Sequence, residues 1–220
     1  MNELCKSLSK GLQVEYSCRP NVIKKQEQSN ILFDENHNDL GSFDLVVSTA
    51  PPIQAVDLLR EFPDITAKID KVKMLPCFTV MLAVENLDIP YQACFINDNK
   101  SLSWLAVNST KPDRDSDIKT IILHSATDYA LKNVDINKDE ILNQMLEDFV
   151  DITGFAGDIL FKSIHRWLYS LAENPLEEGY IFDKSQNIAL CGDWLNGQSK
   201  LENAYLSGYT LAKDIINLYK

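Results

Sequence analysis

Ile188-Ala189-Leu190-Cys191-Gly192-Asp193-Trp194, a short polar loop, and then Ser199-Lys200-Leu201-Glu202 opening a run to Lys220 form the stretch on which the fold turns. The apolar residues 188–191 are continuous, as a short buried strand requires. Gly192 follows, a residue whose backbone can approach a neighbour closely because it carries no side chain. Ser199 and Glu202 stand at capping-box spacing, so the serine hydroxyl could accept from the third helical N–H while the glutamate reaches back. Beyond them Leu201, Ala204, Tyr205, Gly208, Ala212, Ile215 and Tyr219 recur at helical spacing and predict one long helix buried along that face. A strand, a glycine turn and a helix start together make a ready anion site, because the first helical N–H groups lack internal partners. An ordinary strand–helix packing unit has the same spacing.

Working outward, Phe43-Asp44-Leu45-Val46-Val47-Ser48-Thr49-Ala50 is rich in β-branched residues and nearly unbroken in apolar character, which predicts a strand covered on both faces. Pro51-Pro52 stops it. Helices are expected at Gln54 to Leu59, with Val56 and Leu59 inward, and at Asp64 to Asp70. Near the N-terminus, Leu4, Leu8 and Leu12 predict a helix closed at Gly11, followed by strands at Gln13 to Cys18, Asn21 to Gln26 and Ile31 to Phe33 and a polar loop from Glu35 to Gly41 that holds His37. From Lys73 onward strands dominate: Cys77 to Val84, Ala93 to Ile96, Leu102 to Asn108, Thr120 to Ala126 and Asp158 to Leu168. Between the last two, Asn137 caps an amphipathic helix to Asp151 with Ile141, Leu142, Met145, Leu146 and Phe149 inward. The fold class is therefore mixed α/β, with a mostly antiparallel middle section.

Composition excludes several functions. The 220 residues carry 32 acidic and 21 basic side chains, a formal net charge of −11, so nucleic acid is not an expected partner. No apolar run reaches the ~20 residues of a membrane span, and the first residues lack a signal-peptide pattern, so a cytoplasmic protein without a membrane partner is expected. Cys5, Cys18, Cys77, Cys94 and Cys191 are widely spaced without a CxxC pair and read as reduced thiols. His37, His124 and His165 form no metal motif, and no metal is expected; Asp113, Asp115 and Asp117 lack the glycine and closing glutamate of a calcium loop. His165 beside Arg166 reads as a partly exposed structural pair. Without a GxSxG elbow or a cysteine–histidine pair, covalent hydrolysis has no support and no catalytic residue is nominated.

The tail motif Cys191-Gly192-Asp193-Trp194, Gly197 and Leu201-Glu202-Asn203-Ala204-Tyr205-Leu206-Ser207-Gly208 resembles the closing flavin-binding motif of the FAD-dependent amine oxidase superfamily, most closely its renalase-like branch of NAD(P)/FAD-dependent oxidoreductases. Met1 to Lys6, Phe43 to Pro52, Met74 to Phe78, Trp104 to Asn108, Lys111 to Arg114 and His165 to Tyr169 match the same branch in order. One departure matters: the GxGxxG turn that holds the FAD pyrophosphate in this family is missing, Gly154 and Gly157 being the nearest pair without its spacing. A further departure is Asp128-Tyr129, where the family tends to carry Trp-Ser.

The resemblance implies a partial FAD-binding Rossmann-like domain over 1–55, a substrate domain over 56–168, and a return to the FAD-binding domain over 169–220. Val22 would touch the adenine side, Thr49, Ala50 and Pro51 would line the cofactor cleft, and Gly192 and Asp193 would approach the pyrophosphate and ribityl chain. Leu201 and Glu202 would present N–H groups to the flavin C2 carbonyl, where a helix N-terminus stabilises the negative charge of reduced flavin. Trp104 and His124 would belong to the substrate side. The expected function is that of the C-terminal part of an FAD-dependent oxidoreductase acting on a small amine or nicotinamide-like molecule, inactive by itself and completed by an N-terminal FAD-domain partner or by homodimerisation. The alternative is a non-catalytic module, derived from that fold, that binds a small molecule or a protein.

Overall fold

A strand-rich middle section, flanked on both sides by short strands and helices, divides this mixed α/β protein into two units. They are Met1–Val72 with Leu176–Lys220, and Lys73–Pro175. The computed structural model describes residues 2–114, 118–197 and 199–220; Asp115 and Asp117 of the acidic run lie outside the described residues.

The first unit holds α1 (Asn2–Leu8), β1 (Val22–Gln26), β2 (Ser29–Phe33), β3 (Asp39–Phe43), β4 (Val46–Ser48), α2 (Pro52–Leu58) and α3 (Pro63–Ile69), then β10 (Ile181–Asp183), β11 (Ile188–Leu190) and α6 (Leu201–Leu218). β1, β2 and β3 form one antiparallel sheet. A second sheet has the order β10-β11-β4, antiparallel in its first pair and parallel in its second, where Ile188, Ala189 and Leu190 face Val46, Val47 and Ser48. β11 is fully buried, with α6 packed on the side of Ala189 and Cys191 through Leu211 and Ile215. Asn30, fully buried on β2, donates to the carbonyls of Gln186 and Asn187 and so ties the hairpin sheet to the β10–β11 turn.

The second unit holds β5 (Met74–Val84), β6 (Ala93–Phe95), β7 (Leu102–Val107), β8 (Lys119–Ser125), α4 (Thr127–Lys132), α5 (Lys138–Thr153) and β9 (Ile159–Ala172). Its strands form one antiparallel sheet of order β6-β7-β8-β5-β9. Phe78, Val80, Leu82 and Val84 project from one face of β5 and close a core with Leu105, Ile121, Leu123 and the inward face of α5. The Asn137 side chain accepts from the Asp139 N–H at 2.9 Å to start α5, and Gly154 at φ 66° ends it. The five apolar residues expected to face inward on α5 are all buried.

Several expectations are corrected. Gln13 to Cys18 is not a strand, since no neighbouring chain offers it a ladder. Phe43 to Ala50 is not one strand either: the chain leaves the hairpin sheet at Phe43 and re-forms in the other sheet at Val46. Nor is it covered on both faces, because β4 is an edge strand whose Val47 is 40% exposed. Ser199 is not the N-cap of α6. Lys200, in extended conformation, takes that place without a side-chain cap bond. On α6 the buried residues are Ser207 and Leu211, while Leu201, Tyr205 and Tyr219, assigned to the inward face, are exposed. The unit borders fall at 72/73 and 175/176, against borders read from the sequence at 55/56 and 168/169, so α2 and α3 belong with the first unit.

Candidate functional site

β4 and β11 run parallel and end together, and the Cys191 N–H extends the ladder by donating to the Ser48 carbonyl at 3.1 Å. Thr49-Ala50-Pro51 and Gly192-Asp193-Trp194 therefore leave the sheet side by side. The C-terminal ends of parallel strands are where open α/β sheets bind ligands. Trp194, 1% exposed, locks the two segments together by donating its indole Nε1–H to the Ala50 carbonyl at 3.2 Å. Thr49 stays exposed and Ala50 half-buried, and Pro51 turns the chain into α2 as its N-cap.

Gly192 is needed in a way the spacing did not reveal. A Cβ there would stand 2.8 Å from the Trp194 indole nitrogen, so the close approach is to the protein's own ring. Its N–H donates to the Ser207 hydroxyl at 3.1 Å. Ser207 is 1% exposed and pins α6 to the turn. Asp193, next along, is half-buried, and burial raises its carboxyl above the ordinary carboxylate range. A hydrogen bond from its own backbone N–H works against that rise without overcoming it. A carboxylate in that setting is short of donors and would accept hydroxyl groups.

Leu201 and Glu202 occupy the first turn of α6 and are exposed. The first intrahelical bond runs from Ala204 N–H to the Lys200 carbonyl, so the amides of Leu201 and Glu202 have no acceptor within the helix. Asn203 ties this turn to the loop before it, its Nδ2 donating to the Asn196 carbonyl at 3.2 Å.

Val22, 1% exposed, is packed inward at the start of β1. Beside it, a cavity of about 260 Å³ is lined by Arg19, Pro20 and Asn21 from one side and by Ala50, Gln54 and Asp57 from the other. Arg60 braces this wall by donating to the Asn21 and Asp57 carbonyls, each at 3.0 Å. The structure thus brings the neighbour of Val22 together with Ala50. Gln54 and Ser207 were missed by sequence reasoning. Ser207 stood within the tail motif, but nothing local pointed to its hydroxyl accepting from residue 192.

In the second unit, Trp104 and His124 are cross-strand partners on β7 and β8, their ring centroids 4.8 Å apart and tilted by 33°. Burial lowers the His124 pKa below the ordinary imidazole value and favours the neutral ring. His165 and Arg166 are not a pair. Adjacent strand residues point to opposite faces, so the Arg166 guanidinium donates to the Val134 carbonyl while the His165 ring lies 4.1 Å from that of Trp167. Among the described residues no group of three or more His, Cys, Asp or Glu side chains could hold a metal ion. Nor is any helix among them long and apolar enough to cross a membrane.

No family model matches the sequence. Among solved structures, the chain is similar to one assigned as a protoporphyrinogen oxidase from Exiguobacterium sp. 255-15, at 18% identity and a TM-score of 0.74 over 97% of this chain and 50% of that one. It is also similar to a putrescine oxidase variant, at 12% identity and a TM-score of 0.72 over 97% of this chain and 51% of that one. Cyclohexylamine oxidase from Brevibacterium oxydans IH-35A matches at 14% identity and a TM-score of 0.65, over 92% and 49%. At such identities the likeness is one of fold. The chain spans about half the length of each of these structures.

Proposed function

We propose that this chain is the C-terminal, substrate-bearing part of an FAD-dependent oxidoreductase of the amine oxidase type, in its renalase-like branch, and that it does not grip FAD stoichiometrically by itself. The observation that carries the reading is the paired exit of Thr49-Ala50-Pro51 and Gly192-Asp193 from adjacent parallel strands, with the donor-poor carboxylate of Asp193 between sheet and helix. The residues present fit one side of the cofactor. Asp193 would accept from the ribityl hydroxyls, the amides of Leu201 and Glu202 would face the flavin carbonyl, and the cavity beside Asn21 and Ala50 would take the adenine end near Val22. The chemistry such a cofactor supplies is hydride acceptance from a small amine or nicotinamide-like substrate, with the electrons passed on to oxygen. This chain's own residues would orient the two molecules and set the local field.

A partner completes the reading. β4 ends its sheet with an open edge, a parallel pair is rarely left uncovered, and Val47 is exposed there. A Cβ on Gly208 of α6 would meet open space, and Leu201, Tyr205, Tyr209 and Ile216 expose apolar surface on that helix. An N-terminal FAD domain carrying the missing GxGxxG turn would cover such surface, and a second copy of this chain is the other candidate. The five separate thiols support a reducing, cytoplasmic setting.

One observation favours a second reading, a non-catalytic binding module: the Gly192 amide, expected to face the pyrophosphate, already donates to Ser207. FAD titration followed by flavin absorbance and fluorescence separates the two. Weak uptake by the chain alone, made stoichiometric by a GxGxxG-bearing partner and reduced by Asp193→Ala, supports the oxidoreductase reading. No uptake with any such partner supports the binding module, and a chain that purifies yellow with one FAD per protomer refutes the need for a partner.

A further inference from the structure

One row of side chains crosses all five strands of the larger sheet in register. Phe95 on β6 faces Trp104 on β7, Trp104 faces His124 on β8, His124 faces Thr79 on β5, and Thr79 faces His165 on β9. These residues alternate with Phe78, Val80, Leu105 and Leu123, which belong to the core, so the row lies on the opposite face of the sheet. Thr79, the smallest of the five, stands between two imidazoles, each backed by an indole, His124 by Trp104 and His165 by Trp167. Phe95 is 84% and Trp167 53% exposed, so π surface is presented outward at both ends.

Charge is what makes this face selective. The row holds no Asp, Glu, Lys or Arg, and neither does the next one, in which Ala106, Ile122, Met81 and Ser163 stand side by side. Such a surface in a chain with 24% charged residues offers no counter-ion to a protonated amine and none to a carboxylate. It offers flat rings for offset stacking and two imidazoles, each able to donate from one nitrogen and accept at the other. The imidazoles are two strands apart, about 10 Å at the usual strand spacing. That span suits a bicyclic plane with polar atoms at its edges.

We propose that this face binds an uncharged, planar heteroaromatic molecule, stacked against Trp104 and Trp167 and hydrogen-bonded to His124 and His165. That the molecule is a substrate rests on the oxidoreductase reading; that it binds does not, because no residue of the cofactor site takes part. It narrows the two substrate classes implied by the resemblance, against a protonated alkylamine.

The chain has three histidines, so their Cε1–H proton resonances report binding residue by residue, with His37 on β-hairpin loop residues 34–38 as the internal control. The 220-residue chain, without FAD, is titrated with 2-quinolone as the uncharged probe, cyclohexylammonium as the cation and benzoate as the anion. The expected result is a saturable shift of His124 and His165 together by 2-quinolone, with His37 still and the charged probes at least tenfold weaker. Trp104→Leu and, on the exposed side, His165→Gln each weaken 2-quinolone binding roughly three- to tenfold with unchanged circular dichroism. Cyclohexylammonium binding as tightly as 2-quinolone, the absence of any saturable shift, or an unchanged affinity in the folded His165→Gln chain would overturn the proposal. FAD uptake without 2-quinolone binding removes this site and leaves the oxidoreductase reading standing; the reverse outcome does the opposite.

Discussion

The two long helices of this protein obey the same rule of amphipathic spacing and come to different ends. On α5 the apolar residues Ile141, Leu142, Met145, Leu146 and Phe149 are all buried against the five-stranded sheet of the same unit. On α6 the apolar residues are more numerous, yet Leu201, Tyr205, Tyr209 and Ile216 face outward and burial falls on Ser207 and Leu211. α5 lies against a five-stranded sheet and buries the face its pattern announces, whereas α6 meets the short strand β11 through Leu211 and Ile215. Beside those apolar contacts α6 holds the polar Ser207 inward, where its hydroxyl accepts from the Gly192 N–H.

The largest contrast is expected from paired truncations on these helices. Phe149→Ala should cost about 3–5 kcal/mol, since Phe149 is fully buried and stacks near Phe155. Tyr205→Ser should change stability by less than about 0.5 kcal/mol, because Tyr205 is 56% exposed. Urea denaturation of the two variants tests this, and equal costs would mean that Tyr205 is covered in solution. Gly192→Ala comes next. The added methyl would meet the Trp194 indole at 2.8 Å and should destabilise by about 1–3 kcal/mol, with a change in tryptophan fluorescence as the ring is displaced.

Ser207→Ala should cost about 1–2 kcal/mol by leaving the Gly192 N–H unpaired, measured by the shift in urea midpoint. A cost near zero would show that α6 is held by its apolar residues after all. The smallest effect is expected at Asp193, whose folded pKa is raised by burial above 3.8. The folded state then holds its proton more tightly than the unfolded state, so this group's contribution is greatest below pH 3.8 and is lost as pH rises through the folded value. Asp193→Asn removes that dependence. It should raise the melting temperature slightly at neutral pH and leave it unchanged at pH 3, as followed by thermal denaturation.

What could be read locally was read well in the second unit, where Cys77 to Val84, Ala93 to Ile96 and Leu102 to Asn108 lie close to β5, β6 and β7. There the strands pair with one another and with α5, so alternation in the chain equals alternation in burial. The first unit misled at Phe43 to Ala50, because apolar continuity does not say that the chain changes sheets within it. It misled again at Ser199, where capping-box spacing was present but the helix begins after Lys200. Of the candidate site, the grouping of Ala50 with Gly192 and Asp193 followed from the resemblance. The cavity at Asn21 and Gln54, the Trp194 bond and the His165–Trp167 stack had no local signal, since each depends on residues brought together by strand order or by strand alternation.

The amino-acid sequence alone determined the mixed α/β class, most strand and helix positions and the inward face of α5, because backbone conformation and burial period are written in near neighbours. Only the tertiary structure decided that Gly192 makes room for a tryptophan, that Ser207 receives its amide, and that Phe95, Trp104, His124, Thr79 and His165 share one line across the sheet. Those relations join segments as far apart as Trp194 and Ala50, 144 residues from one another, and register between distant strands is set by packing rather than by any local pattern.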